Sequence, residues 1–331
     1  MNKVDLVQLA SGYWYSFAIG AAVDLNIFSE LAEKEQDADS LSAKILCTPS
    51  HLEALLHSLC GMGLLLKSGD TFSLHPDQKA FLDPNSPDTM LGAFAFNRDL
   101  AGLWMKLPDC IRSGKPVLPD NPHLGADPDR TRRFVEGMHS RAGLMARNLL
   151  PCLQPPAGSQ ILDVGGGPGT FSLKLAERDP SLNITVLDLP PIVQAAAEIH
   201  QGKAALSCIT FQGGDYHSCE YPQHQDVLLY CGALHQEPES EIEDLLAKMK
   251  AALKPGGQLV IVDLMLNDDR STPVYSALFE INMMLMRPAS RVYSSDVLES
   301  YLTKAGFLHL SCQDIPHTPY RMVTGTTAVS E

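Results

Sequence analysis

The chain has 331 residues and a formal net charge of −14, enough length for one large domain or two ordinary ones with a real core. The acidic balance argues against a broad phosphate-binding face, because nucleic-acid affinity leans on Lys and Arg. No apolar run is long enough to span a bilayer, and the eight cysteines are scattered, with no CxxC pair and none at zinc-finger spacing to a histidine.

The opening stretch, "MNKVDLVQLASGYWYSF", lacks a cationic segment followed by an apolar run and a small-residue cleavage site, so a cytoplasmic chain with reduced thiols and no metal site is expected. "WYSFAIGAAVDLNIFSELAEK" carries Phe17, Ala21, Leu25, Phe28 and Leu31 at helical spacing, which predicts an amphipathic helix. "DSLSAKILCTPSHLEALLHSLCGMGLL" predicts two short helices. The second starts either with Thr48 as cap and Pro49 at the first position, or with Ser50 and Glu53 as a capping box. It ends at Gly61 and Gly63. "LLLKSGDTFSL" then reads as a hairpin around Ser68-Gly69-Asp70.

Helix, helix, hairpin is the order of a winged-helix unit. Its recognition helix, "SHLEALLHSLC", holds no Arg or Lys, so the groups that reach phosphates and guanine edges are missing and DNA binding is not expected. Protein contact or dimer formation is the expected role. "SGKPVLPDNPHLGADPDR" breaks the pattern as a connection, and "TRRFVEGMHSRAGLMARNLLPCL" reads as one more amphipathic helix.

From Gln160 the pattern becomes strands separated by helices: "QILDV", "NITVLDL", "ALSCITFQG", "DVLLYCGAL" and "GQLVIVDLML". Continuous Val, Ile and Leu runs are expected for strands covered on both faces. The alternation predicts an α/β, Rossmann-like parallel sheet, closed by a C-terminal antiparallel hairpin from "FLHLSCQDI" and "YRMVTGT". The expected organisation is a helical winged-helix-like dimerisation domain over 1–120. A connecting helix and the catalytic α/β domain follow over 121–331.

In open α/β sheets, ligands sit beyond the carboxyl ends of the strands. The first strand ends at Asp163, followed by Gly165, Gly167 and Gly169 in "DVGGGPGTF". Glycines allow close backbone approach, and the next helix aims its N-terminus at the ligand. The spacing is GxGxG, with Thr170 where the last glycine of a dinucleotide fingerprint would stand. Asp188 ends the second strand, where an acid accepts from ribose hydroxyls. "GGDY" sets Gly214 and Asp215 after the third. A row of acids suits an ammonium, a sulfonium, a ribose and an adenine better than a pyrophosphate. The reading is S-adenosylmethionine.

"DVGGGPGTF", "VLDLP", "GGDYH" and "LKPGGQLVIVD", in this order, resemble class I S-adenosylmethionine-dependent methyltransferases. The whole chain is similar to small-molecule O-methyltransferases such as the plant caffeate and acetylserotonin enzymes and bacterial tailoring enzymes of secondary metabolism. That resemblance implies a homodimer whose N-terminal helices reach the partner's pocket, with Tyr13, Trp14 and Tyr15 as a lid or as core. It implies that Asp163, Gly165 and Gly167 meet the methionine end of the cofactor and that Asp188 with Leu189 holds the ribose. Gly214, Asp215 and Tyr216 flank the adenine, and Cys231 stands where the family often has a lysine. It places a general base at His235 and a supporting acid at Asp263. Phe134, Met138, His139, Phe279, Met283 and Met284 line the acceptor site.

A phenol with pKa near ~10 is a poor nucleophile at neutral pH, and a histidine near ~6.5 takes its proton as the new bond forms. Two departures bear on that chemistry. The family shows His-Asp-Trp where this chain has His235-Gln236-Glu237, and its second acid falls at Val292. Glu280 is a polar residue in an apolar helix, a substitute acid or a solvent-facing one. The expected reaction is methyl transfer to a hydroxyl of an aromatic or polyketide-like molecule. Transfer to carbon or nitrogen, or cofactor binding without methylation, are the alternatives.

Overall fold

The computed structural model describes residues 1–118, 127–287 and 289–329, with Leu144 by its backbone alone. The chain divides into two compact units. The first comprises Met1–Gly102 with Glu136–Arg141, and the second Leu103–Val135 with Ala142–Glu331. The expected domain boundary at Asp120 lies outside the described residues.

The first unit is helical with a small sheet. Helix Lys3–Ala10 opens with a capping box in which Asn2 and Asp5 satisfy each other's backbone N–H groups. The single helix expected from Trp14 onward is two, Tyr13–Asp24 and Ile27–Glu33. The break is Asn26, held at φ 55, a left-handed conformation that Asn tolerates and a helix does not. Helix Pro49–Gly61 starts with Thr48 at the cap and Pro49 at the first position, the former of the two expected starts. The hairpin pairs Leu65–Ser68 with Thr71–Leu74 through a two-residue loop. Gly69 takes φ 58 at its first position, as such loops favour. Gln36–Asp37 adds a third strand on the far side of Thr71–Leu74. Leu41, Leu52, Leu56, Leu59, Leu65 and Phe72 close one core beneath the hairpin. The apolar side chains of Val4, Val7, Leu9, Tyr13, Trp14, Tyr15 and Phe17 are all more than half exposed.

The second unit is built on a seven-stranded sheet. Its strands are β1 (Gln160–Val164), β2 (Asn183–Asp188), β3 (Ile209–Gly213), β4 (Gln225–Cys231), β5 (Leu253–Leu264), β6 (Leu308–Asp314) and β7 (Tyr320–Thr326). The spatial order is β3-β2-β1-β4-β5-β7-β6. The first five pair in parallel, and β7 runs antiparallel to both β5 and β6. The third strand is shorter than the sequence pattern suggests, because Ala204–Cys208 form a 3-10 turn before it.

The apolar runs are explained by their two faces. Along β4, Leu228 and Tyr230 pack with the helix Glu239–Ala252 on one side, while Val227, Leu229 and Cys231 face the other side with Leu149, Phe171 and Leu175. Side chains alternate across a strand, so a strand covered on both faces needs an apolar residue at nearly every position. The strand order reverses between β1 and β4, which is where α/β sheets open a crevice at the carboxyl ends. Among the described residues no helix is long and apolar enough to cross a membrane.

Candidate active site

The turn after β1 is shaped by its glycines. Gly165, Gly167 and Gly169 all take positive φ, at 62°, 54° and 67°, a region that costs other residues roughly 1–2 kcal/mol. A methyl group at Gly166 would lie 2.8 Å from Asp163 Cγ and from Val186 Cγ1, whereas one at Gly167 would meet nothing within 4 Å. The turn is therefore closed on its inner side and open at Gly167. It leads into helix Thr170–Arg178, with Gly169 at the cap.

Two acids support this turn from different places. Asp188, at the end of β2, accepts the Gly167 N–H through Oδ2 and the Leu189 N–H through Oδ1, each at 2.7 Å. Its burial raises its pKa, opposed by those two donors and by the nearby Arg287 guanidinium. Asp163 is fully buried. Strand parity decides which side of the sheet its carboxylate faces. Asp163 shares a face with Ile161, the side covered by helix Thr170–Arg178, and from that helix Ser172 donates to its Oδ2 at 2.6 Å. Among the described residues its Oδ1 has no hydrogen-bond partner. Burial pushes the Asp163 carboxyl up to about 7, against the Ser172 hydroxyl and with the help of Asp188.

His200 is a contributor that the sequence pattern did not flag. It is fully buried at the end of helix Pro190–Ile199. Its Nε2 lies 2.7 Å from the Pro168 carbonyl in the glycine turn, and its Nδ1 lies 3.2 Å from Lys203 Nζ. Since a carbonyl only accepts and an ammonium only donates, Nε2 carries the proton and Nδ1 is bare. Burial, reinforced by Lys203, lowers its pKa to about 4.

On the β3 side, Gly214 donates to the Asp188 carbonyl at 2.9 Å, and Asp215 is exposed, accepting the His217 N–H at 2.9 Å. Tyr216 turns inward. Its ring edge lies 3.4 Å from where a Gly165 Cβ would be, and its hydroxyl donates to Glu237 Oε1 at 2.6 Å. Among the described residues, His217, Glu237 and Glu241 form a group of metal-ligating type. Each imidazole nitrogen of His217 already faces one of those carboxylates, Nε2 to Glu237 at 3.1 Å and Nδ1 to Glu241 at 3.7 Å. Cys231 is buried at the end of β4, its thiol pKa pushed up by burial and by the neighbouring Asp163 and Asp263.

His235 sits on the 3-10 turn Leu234–Gln236 just after β4, and Asp263 lies near the end of the adjacent β5, almost wholly buried. His235 Nδ1 is 2.8 Å from Asp263 Oδ1 and 3.1 Å from Oδ2, and the His235 backbone N–H donates to Oδ2 at 3.1 Å. The carboxylate fixes the proton on Nδ1 and leaves Nε2 as the acceptor nitrogen. Phe279 stands edge-on to the imidazole, with ring centres 4.7 Å apart and planes at 85°.

Phe279 belongs to helix Val274–Met286, where Met283 is buried and Met284 half-buried. Trp104 Nε1 donates to Asn282 Oδ1 at 3.0 Å, and the Val117 N–H donates to the Leu285 carbonyl at 2.9 Å. Glu280 is not solvent-facing. Its Oε1 accepts from Arg270 at 2.5 Å and from the Val292 N–H at 3.3 Å. The acid thus reaches the backbone of the position where the family's second acid would stand, carrying its own counter-ion. Phe134 is half-buried in the second unit, packed against Val135, Ile192 and Ala196. Met138 and His139 are half-buried on the part of the same helix that belongs to the first unit.

Comparison with known proteins agrees with this geometry. The O-methyltransferase domain family matches residues 113–308, and the O-methyltransferase dimerisation domain matches residues 7–82. The chain is 29% identical over 309 residues to the tetracenomycin polyketide synthesis 8-O-methyl transferase TcmO of Streptomyces glaucescens, covering 92% of this chain and 91% of that one. It is 28% identical over 305 residues to the 3-hydroxy-5-methyl-1-naphthoate 3-O-methyltransferase of Streptomyces sahachiroi, covering 91% and 88%. Its fold matches the crystal structure of human N-acetylserotonin methyltransferase in complex with SAM at a TM-score of 0.90, over 99% of each chain and at 21% identity. The chain therefore belongs to the S-adenosylmethionine-dependent O-methyltransferase family, with a dimerisation domain in its first unit and the methyltransferase fold in its second.

Proposed function

We propose that this enzyme moves a methyl group from S-adenosylmethionine to a hydroxyl of an aromatic or polyketide-like small molecule, with His235 as general base. The observation that carries this reading is the His235–Asp263 pair, which directs one imidazole nitrogen to a buried carboxylate and keeps the other able to accept a proton. The names of the two Streptomyces relatives, an O-methyl transferase of tetracenomycin polyketide synthesis and a naphthoate O-methyltransferase, support the acceptor class.

The residues of the crevice fit the cofactor. The turn is open at Gly167 and closed elsewhere, so a ligand lies against backbone. Asp188 is set to hold ribose hydroxyls, Leu189 lies beside it, and Gly214, Asp215 and Tyr216 bound the adenine end. Gly165 and Asp163 serve the methionine end, Gly165 by its backbone and Asp163 from beneath the turn. When bound, the cofactor supplies an electrophilic methyl on a good leaving group. The protein's share is alignment and deprotonation. His235 takes the acceptor's proton at Nε2, and Asp263 stabilises the imidazolium that results. Phe279 limits how the imidazole turns, and with Met283, Met284 and Phe134 it bounds the acceptor side. Met138 and His139 are proposed to line it as well. Glu280, neutralised by Arg270, orders the segment at Val292 and does not replace the missing acid as a second base.

A homodimer is the expected assembly. The exposed apolar side chains of the first two helices lie largely within the region matched by the dimerisation family, and a face of this kind marks a protein contact. Eight free cysteines fit a reduced, cytoplasmic setting. Incubation with methyl-labelled donor and a panel of phenolic polycyclic acceptors tests the reading. Label on acceptor oxygen supports it, and no product across the panel with intact cofactor binding overturns it.

A further inference from the structure

Glu237 stands where the resemblance leads one to expect tryptophan, and it is 1% exposed. A carboxylate this deep is costly unless its lone pairs are used. Here they are. Oε1 accepts from the Tyr216 hydroxyl at 2.6 Å and from the Tyr230 hydroxyl at 2.9 Å. Oε2 meets His217 Nε2 at 3.1 Å. The backbone holds on as well, the Glu237 N–H donating to the Leu234 carbonyl at 3.0 Å and its own carbonyl accepting from the Tyr293 hydroxyl at 2.8 Å.

These partners come from two functional places. Tyr216 and His217 belong to the loop after β3 that carries Asp215. Leu234 opens the turn that carries His235. One buried side chain is thus bonded to the adenine-side loop while its backbone closes the catalytic turn. Lys248 adds a clamp on the same loop, donating to the carbonyls of Tyr216 at 2.7 Å and His217 at 2.9 Å. Tyr230 differs from Tyr216 in one respect that matters for a test. It shares the same carboxylate oxygen but sits inside the sheet core, on no ligand-facing loop.

We propose that Glu237 is a positioning residue for methyl transfer: it couples the adenine-side loop Gly214–Ser218 to the His235 turn, by seating the Tyr216 ring against Gly165. The proposal deepens the reading above, since it rests on that loop bounding the adenine.

The test uses the full-length protein and four variants, Glu237→Gln, Glu237→Leu, Tyr216→Phe and Tyr230→Phe. Amide hydrogen exchange over residues 214–218 without ligand reports the seating of the loop. Calorimetry with S-adenosylhomocysteine reports its consequence. Tyr216→Phe and Glu237→Leu each lose a charge-assisted bond at the loop, so exchange there should rise and affinity fall by about fivefold or more. Tyr230→Phe should lower the melting temperature but leave both loop exchange and affinity within about twofold. Glu237→Gln keeps an acceptor for both tyrosines and should restore most of the affinity. In steady state Tyr216→Phe and Glu237→Leu should raise the KM for the methyl donor more than they lower kcat. Equal effects of Tyr216→Phe and Tyr230→Phe on loop exchange would overturn the proposal, as would no rescue by Gln. Parent enzyme that gives no heat with S-adenosylhomocysteine would instead overturn the cofactor reading, while the exchange comparison would still decide the seating of the loop.

Discussion

The carboxylate of Asp263 holds His235 at two points, the ring Nδ1 at 2.8 Å and the backbone N–H at 3.1 Å. The same carboxylate accepts the Leu264 N–H at 2.7 Å. It therefore fixes the position, the rotation and the tautomer of the imidazole together. His235→Ala should lower kcat by about 10²–10⁴-fold, the usual worth of a positioned base, with S-adenosylhomocysteine affinity within about threefold. Asp263→Asn, which offers Nδ1 a donor as readily as an acceptor, should fall in the same direction. Turnover unchanged in His235→Ala would remove it as the base.

Gly166 and Gly167 are neighbours with opposite surroundings. Gly166→Ala drives a methyl into Asp163 and Val186, an overpacking that costs typically ~1–3 kcal/mol. It should lower the melting temperature of ligand-free protein. Gly167→Ala meets no atom and pays only its left-handed strain, about 1–2 kcal/mol. Its methyl projects to the open side of the turn, so it should weaken S-adenosylhomocysteine binding more than Gly166→Ala does for the same loss of stability. Equal ratios of affinity loss to stability loss in the two variants would contradict this.

Asp163 and His200 give stability opposite pH dependences. The folded-state pKa of Asp163 is raised to about 7 from 3.8. It binds its proton more tightly when folded, so its contribution is full at low pH and is lost as pH rises from about 4 to about 7. Asp163→Asn has no proton to lose. Its melting temperature relative to the parent should climb across that range, as thermal melts at pH 4.5 and 8 would show. A pH-independent difference would refute it.

For His200 the folded-state pKa is lowered to about 4 from 6.5. Protons bind the unfolded chain more tightly, so stability is lost as pH falls from about 6.5 to about 4. His200→Leu removes that loss together with the donor to Pro168. Its deficit against the parent should be largest above pH 7 and shrink towards pH 4. Because the slopes of Asp163 and His200 oppose each other in the parent, only the variants expose them.

Phe279 packs edge-on to His235. Phe279→Ala leaves the base and its carboxylate in place but frees one side of the imidazole. It should raise the KM for the acceptor and lower kcat by roughly tenfold, since misplacement by an ångström costs up to ~10²-fold. The KM for the methyl donor should stay within about twofold. An effect on the donor alone would place Phe279 elsewhere.

Much of this protein was legible in its residue order. The five Val, Ile and Leu runs after Gln160 are parallel strands, and the closing hairpin is antiparallel. The glycine turn and the His235–Asp263 pair sit at strand ends as the spacing of the motifs implies. These features are local or follow from period-two burial, and a chain records such things directly. What the tertiary structure alone decided is where side chains of one kind go. Asp163 and Asp188 read alike as acids at strand ends, yet Asp163 pairs level with Val186 and lies under a helix beside Ser172, while Asp188, two residues further along its strand, reaches the turn's backbone. His200 carries no motif and Glu237 shows only as a departure from one, because their partners Pro168 and Tyr216 are brought to them by helix and strand crossovers. Hydrogen bonds between segments far apart in sequence depend on directions in space that only the packed sheet supplies.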